Sequence, residues 1–390
     1  MLNTPFPPWP SFDRDDADAV SRVLLSNRVN SWTGEETRAF EREFAAFVGT
    51  RHAVAIANGT LALDAALRSL RIGAGDDVIV TPRSFMASVS CVVMAGANPI
   101  FADVDPDSQN LTAETIAAVL TPRTKAVVLV HLAGMPCDMD PIMALSEKHG
   151  FAVIEDCAQA HGARYKGRSV GSIGHIGAWS FCQDKIITTG GEGGMVTTDD
   201  TELWSRVWSL KDHGKSYEAM FERTHAPGFR WVHDSIGSNW RMLEMQSVIG
   251  RRQLRQLDQW SEARRANLER ILEAARSLPG LRVPSQPNWA THAAYKAYLF
   301  VDPQRLAAGW TRDRIIASIN DHGVPCYHGS CPEIYLEKAF DETPFRPRER
   351  LPVARALGET SFMFLVHPTL ENQHIEAAIA ALNKVMAMAT

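Results

Sequence analysis

The sequence predicts an α/β protein with a mostly parallel central sheet, followed by a smaller C-terminal α+β domain. Three observations carry this. From residue 52 to about 200, short runs rich in Val and Ile alternate with helical patterns. Near 240–280 the pattern changes to a long, charge-rich amphipathic stretch without internal proline. Beyond it, a strand candidate, two helical patterns and proline-marked loops are mixed. The 390 residues, 45% hydrophobic and 22% charged, suffice for a large core with a second, smaller domain.

Taken in order, the proline-rich start FPPWP predicts an extended arm lying on a neighbouring surface, and residues 1–35 are assigned to this N-terminal arm. Residues 36–260 form the large α/β domain. Its strands are read from AVAIA (53–57), DVIVTP (77–82), NPIFADVD (98–105), KAVVLV (125–130) and FAVIED (151–156), the signature of βαβ units. Leu61, Leu63, Ala66, Leu67 and Leu70 recur at roughly helical spacing directly after Asn58-Gly59-Thr60, a good helix entry. Residues 261–390 make the small domain, with a strand in AYKAYLFVD (294–302) and helices at 311–323 and at the C-terminal end.

Composition excludes several classes. A net charge of −5 leaves no basic surplus for a nucleic-acid backbone, so no nucleic-acid partner is expected. No run of 18 apolar residues and no secretory signal pattern occurs, which points to a cytoplasmic protein without a membrane partner. The six cysteines show neither a CxxC pair nor zinc spacing and read as reduced thiols, with no metal expected. GGEGG lacks the pattern of a P-loop, and no GxGxxG follows the first strand.

Chemistry concentrates in three segments. In GSIGHIGAWSFCQDKIITTGGEGGMVTTD (171–199), Lys185 lies between a strand ending in Ser180-Phe181 and the glycines 190, 191, 193 and 194. Burial there lowers an ammonium's pKa, and only the neutral amine attacks an aldehyde. Taken alone, a lysine beside a glycine turn is ordinary surface structure. In VIEDCAQAHGA (153–163), a strand ends on Glu155-Asp156, where open α/β sheets place ligands. Asp156 suits the anion required beside the ring nitrogen of pyridoxal 5'-phosphate (PLP), and Gln159 can offer its amide to the phenolic oxygen. An isolated aspartate there would equally serve as a helix cap. Gly59, Thr60 and the following amides form a helix N-terminus suited to a phosphate, to which Ser180 can add a hydroxyl. The three segments together describe one site.

These motifs, GTLAL, VIEDCAQAHGA, SFCQDKIITTGGEGGM and IGSNWRMLEMQSVIGRRQL, resemble in order those of the DegT/DnrJ/EryC1/StrS sugar aminotransferases, over nearly the whole chain. The resemblance implies the type I PLP-dependent transferase fold, like that of aspartate aminotransferase, and a homodimer with shared active sites. It makes Lys185 the Schiff-base residue and proton shuttle, Asp156 the partner of the pyridinium nitrogen, Gln159 a contact to the phenolic oxygen, and Ser180, Gly59 and Thr60 phosphate ligands. It further implies that Phe85 stacks on PLP and that Asn239 reaches the phosphate in the neighbouring subunit's site. Trp32, His161, His213, Tyr295, Lys296, Tyr327 and His328 are candidate substrate contacts, although the family often carries a Leu-His pair in the loop near 327.

The activity implied is transfer of an amino group, with PLP cycling through pyridoxamine 5'-phosphate. L-Glutamate is the expected donor, and the acceptor is a keto group on a nucleotide-linked sugar. A UDP-4-keto-6-deoxy-N-acetylhexosamine for bacterial surface glycans is the preferred acceptor; a carbon-3 ketone or a GDP- or dTDP-linked sugar is the alternative. A dehydratase branch of the family replaces the lysine by histidine, so Lys185 favours transamination. A PLP-binding regulatory protein would not require Lys185, Asp156, Gln159 and Ser180 together.

Overall fold

The computed structural model describes residues 5–390; residues 1–4 of the expected N-terminal arm lie outside the described residues. The arm is not extended throughout, because Asp13 caps a helix over Arg14–Leu25 by accepting the Asp16 N–H at 2.8 Å. The large domain is built on β1 (His52–Ile56), β2 (Asp77–Val80), β3 (Asn98–Phe101), β4 (Thr124–Val130) and β5 (Ala152–Asp156). The short β6 (Arg164–Tyr165) and β7 (Arg168–Ser169) come next, then β8 (Ile176–Ser180) and β9 (Gly194–Thr198). Seven of these form the main sheet, in the order β1-β9-β8-β5-β4-β2-β3. All run parallel except β9, which lies antiparallel between β1 and β8. Strands β2, β8 and β9 are buried along their whole length, as expected of strands covered on both faces.

The small domain adds β10 (Leu281–Arg282), β11 (Ala290–Thr291), β12 (Lys296–Val301), β13 (Cys326–Tyr327) and β14 (Ser361–Leu365). A four-stranded antiparallel sheet runs β10-β12-β14-β13, while β11 returns to the large domain to pair with β6. One helix, Glu244–Arg276, spans 33 residues without interruption. Leu257 packs with Phe44, Trp179 and Phe181 of the large domain, whereas Leu268, Ile271, Leu272 and Ala275 pack with the small domain's Leu299, Phe362 and Leu382. The boundary expected between 260 and 261 therefore falls inside a continuous helix that belongs to both cores. Among the described residues, no helix is long and apolar enough to cross a membrane.

Candidate active site

The parallel strands all point their carboxyl ends to one edge of the sheet, and the chain places its reactive residues there. Asp156 closes β5 and is 5% exposed. Ser88 Oγ donates to its Oδ2 at 2.8 Å, the Ala158 amide donates to Oδ1 at 3.1 Å, and Ser84 stands 3.0 Å behind Ser88. Burial raises the Asp156 pKa, opposed by Ser88, the Ala158 amide, Lys185 and His131. Among the described residues it forms no ion pair, so a cationic ring N–H placed against it would offset the cost of its burial. Ser84 and Ser88 were not singled out by sequence, since only the fold brings Ser88 to Asp156, 68 residues away along the chain.

Among the described residues, the Gln159 side chain is held by one bond, the Ala133 N–H donating to its Oε1 at 2.8 Å. That bond orients the carboxamide and leaves Nε2 as a free donor. Ala133 reaches it from the turn after β4 with φ at 56°. Such a left-handed conformation in a non-glycine residue is uncommon, and such outliers concentrate at functional sites.

Gly59 opens the helix Gly59–Ser69, and the side chain of Asn58 caps it by accepting the Leu61 N–H at 3.0 Å. A Cβ on Gly59 would lie 2.5 Å from Ser180 Cβ, and one on Gly194 would lie 2.4 Å from Asn58 O. Absence of both side chains lets the helix N-terminus close against β8 and β9. The amides of Gly59 and Thr60 and the Ser180 hydroxyl thus share one cradle, a site suited to a phosphate. Gly190 and Gly191, with φ of 87° and 131°, serve the return of the chain after Lys185.

Lys185 sits in that return between β8 and β9. Its Nζ is 3.8 Å from Asp184 Oδ1 and 5.4 Å from the ring centroid of Tyr295. Tyr295 donates its hydroxyl to Asp184, and Lys296 Nζ lies 4.6 Å from the same ring. Burial raises the Asp184 carboxyl, but Lys185, the Tyr295 hydroxyl and Lys296 together hold it below the usual carboxylate range. Lys296 is pushed down to about 8, chiefly by burial, with Asp184 opposing and Arg264 and Lys185 adding to the effect. Tyr295 and Lys296 therefore frame Lys185 itself.

The profile of the DegT/DnrJ/EryC1/StrS aminotransferase family matches residues 10–383. The chain belongs to that family. It is similar to the spore coat polysaccharide biosynthesis protein SpsC of Bacillus subtilis, with 38% identity over 97% of this chain and 96% of the relative. GDP-perosamine synthase of Caulobacter vibrioides is 35% identical, covering 97% of each chain. The X-ray structure of an aminotransferase from Psychrobacter cryohalolentis superposes with a TM-score of 0.96 at 61% identity, covering 98% of this chain and 99% of the other. This DegT-family chain is thus a PLP-dependent aminotransferase with the type I fold. The pieces just described fit the cofactor: at the carboxyl edge of the sheet stand Lys185, a buried carboxylate without an ion-pair partner among the described residues, an amide donor and a helix N-terminus with a hydroxyl beside it.

The remaining sequence candidates divide. His161 requires correction as a substrate contact. Its ring is fully buried, 5.3 Å from Trp179 and 5.5 Å from Phe181, and presents no surface to a sugar. Burial, with Lys185 and Arg264 adding to it, pulls this imidazole down to about 3. Phe85 follows β2 and is 68% exposed, leaving its ring free to stack. Trp32 lines a cavity of about 400 Å³ with Trp204, Trp208, Tyr217 and Phe221, which Lys185, Asp156 and Gln159 do not line. Asn239 and His213 are exposed on the segment 212–239, where Asp212 and Asn239 bridge and the His213 N–H donates to Ser238 O at 2.8 Å. Tyr327 and His328 belong to the small domain, the latter 3.2 Å from Asp313.

Proposed function

We propose that this enzyme transfers an amino group from L-glutamate to carbon 4 of a nucleotide-linked 4-keto-6-deoxy sugar, with a UDP-linked N-acetylhexosamine as the preferred acceptor. The observation that carries the reading is the convergence of Lys185, Asp156 and Gln159 at the carboxyl edge of the sheet. Amino transfer is the activity the family is named for. SpsC and GDP-perosamine synthase, by their names, direct the finer reading toward polysaccharide precursors carried on nucleotides, and bacterial surface glycans such as O-antigen are the proposed destination, in the cytoplasm.

When bound, PLP supplies an electrophilic carbonyl and an electron-withdrawing ring. Asp156 would keep a proton on the ring nitrogen, Gln159 would donate to the phenolic oxygen, and Gly59, Thr60 and Ser180 would hold the phosphate. Lys185 then takes the proton from Cα of glutamate and returns a proton to the sugar carbon that receives the amine. Asp184 stays ionised beside the lysine. Asn239 of a second copy completes the phosphate site, which makes a homodimer the working unit.

The test is optical. The purified protein should be yellow, L-glutamate should bleach the band, and Lys185→Ala should lack it. The pyridoxamine phosphate form should regain colour with UDP-4-keto-6-deoxy-N-acetylhexosamine faster than with 3-keto, GDP- or dTDP-linked sugars. If no keto sugar restores the band, the acceptor class is wrong; if Lys185→Ala stays yellow and active, the assignment of the lysine is wrong.

A further inference from the structure

We propose that Trp9, on the N-terminal arm, is a positioning residue that holds the main chain of Lys185 in register for proton transfer. Its indole Nε1 donates to the Lys185 carbonyl oxygen at 2.7 Å, across 176 residues of sequence. Among the described residues, Lys185 has one further main-chain bond, its N–H donating to Cys182 O at 3.1 Å. The arm therefore supplies the restraint on the carbonyl side of the reactive residue.

The indole is itself fixed on several sides. Trp260 meets it edge-on at 5.1 Å, and His367 stacks at 6.1 Å with 21° between the planes. The Arg264 guanidinium lies 4.9 Å from the ring centroid. Arg264 is 1% exposed and forms no salt bridge among the described residues, and its Nε and Nη2 have no hydrogen-bond partner there. A buried cation with no anion beside it is strongly attracted to an aromatic face, so Trp9 is held where Arg264 needs it. Neighbouring residues anchor the arm: Thr369 donates to Pro8 O at 3.1 Å, and the Phe6 ring packs 5.2 Å from His374. The arm thus crosses the helix Glu244–Arg276 and the small domain before touching the Lys185 segment.

A lysine that shuttles a proton must swing its long side chain between stations while its Cα stays put. A main-chain displacement near 1 Å in such a group costs on the order of 100-fold in rate. The Trp9 bond fixes that pivot without touching cofactor or substrate. The inference rests on the assignment of Lys185 proposed above.

Trp9→Phe isolates the N–H, because phenylalanine keeps an aromatic face for Arg264, Trp260 and His367. The expected result is a roughly tenfold or greater fall in the rate at which L-glutamate bleaches the visible band. The rate penalty from deuterium at the glutamate α-carbon should rise, and the KM for glutamate should stay within about twofold. A purely structural contact would move the melting temperature and leave the isotope effect alone. Trp9→His, which retains a ring N–H, should recover part of the lost rate. Equal rates and isotope effects in wild type and Trp9→Phe would overturn the proposal, as would equally slow Phe and His variants. Loss of the fold in Trp9→Phe would assign the contact to stability and overturn it too. Lys185→Ala separates the two claims: if that variant keeps its colour and activity, both fail, whereas an unchanged Trp9→Phe defeats only this one.

Discussion

Asp156→Asn removes the charge from the centre of the site while keeping its shape. The carboxylate is 5% exposed, and burial holds its pKa above the ordinary value. A carboxyl whose folded pKa exceeds its unfolded one stabilises the fold while protonated, and that contribution is lost as pH rises through the folded pKa. At neutral pH the ionised group is a cost to the cofactor-free protein, and asparagine relieves it. The neighbours can adapt. Asparagine Oδ1 can accept the Ala158 amide, turning Nδ2 toward Ser88, whose hydroxyl then accepts and passes its own proton toward Ser84, 3.0 Å away. The cofactor-free variant should equal or exceed wild type in stability. PLP binding should move the other way: losing a charge-assisted hydrogen bond of about 1.5–3 kcal/mol lowers PLP affinity about 10- to 100-fold. Turnover falls as well, because an unprotonated ring is a poorer electron sink. Urea unfolding of the two cofactor-free proteins from about pH 5 to 8, with PLP titrations read by visible absorbance, checks both signs. An asparagine variant that is less stable without PLP and unchanged in PLP affinity would refute the reasoning.

Gly59→Ala places a methyl 2.5 Å from Ser180 Cβ. It should cost about 1–3 kcal/mol of stability despite alanine's better helix propensity, and weaken PLP binding by tenfold or more, as read by thermal melts and PLP titration. Lys296, depressed from 10.5 to about 8, binds its proton more weakly folded than unfolded, so stability should rise with pH across that window. Lys296→Met should flatten the rise in urea midpoints from pH 8 to 10; identical slopes in both proteins would exclude Lys296 as its source. Mixing Lys185→Ala with Asn239→Ala subunits should restore about a quarter of wild-type sites if each site draws on two subunits, and none if it does not.

The large sheet was readable because strands buried on both faces form nearly continuous apolar runs, as KAVVLV and FAVIED do for β4 and β5. The reversal of β9 was not, since GMVTT carries nothing that distinguishes parallel from antiparallel pairing. What the sequence located was position: Asp156 and Ser180 at strand ends and Gly59 at a helix entry, which is where they lie, because those places restrict where side chains can go, whereas Lys185 drew attention only in combination with them. His161 misled because a histidine in a motif can face either way, and its ring turned into the aromatic core with Trp179 and Phe181. Trp9 and Arg264 were invisible for the opposite reason, meeting Lys185 only through contacts between distant segments. The domain boundary could be located only to a long helix, because no residue breaks Glu244–Arg276.

That helix, about 50 Å of uninterrupted backbone ladder, also bears on how the molecule comes apart. Each core contributes burial to a different stretch of it, so neither can melt without fraying hydrogen bonds the other relies on. Heat should therefore take both domains in a single cooperative step, giving one calorimetric peak, and two well-separated peaks would show the rod to be weaker than its continuity implies.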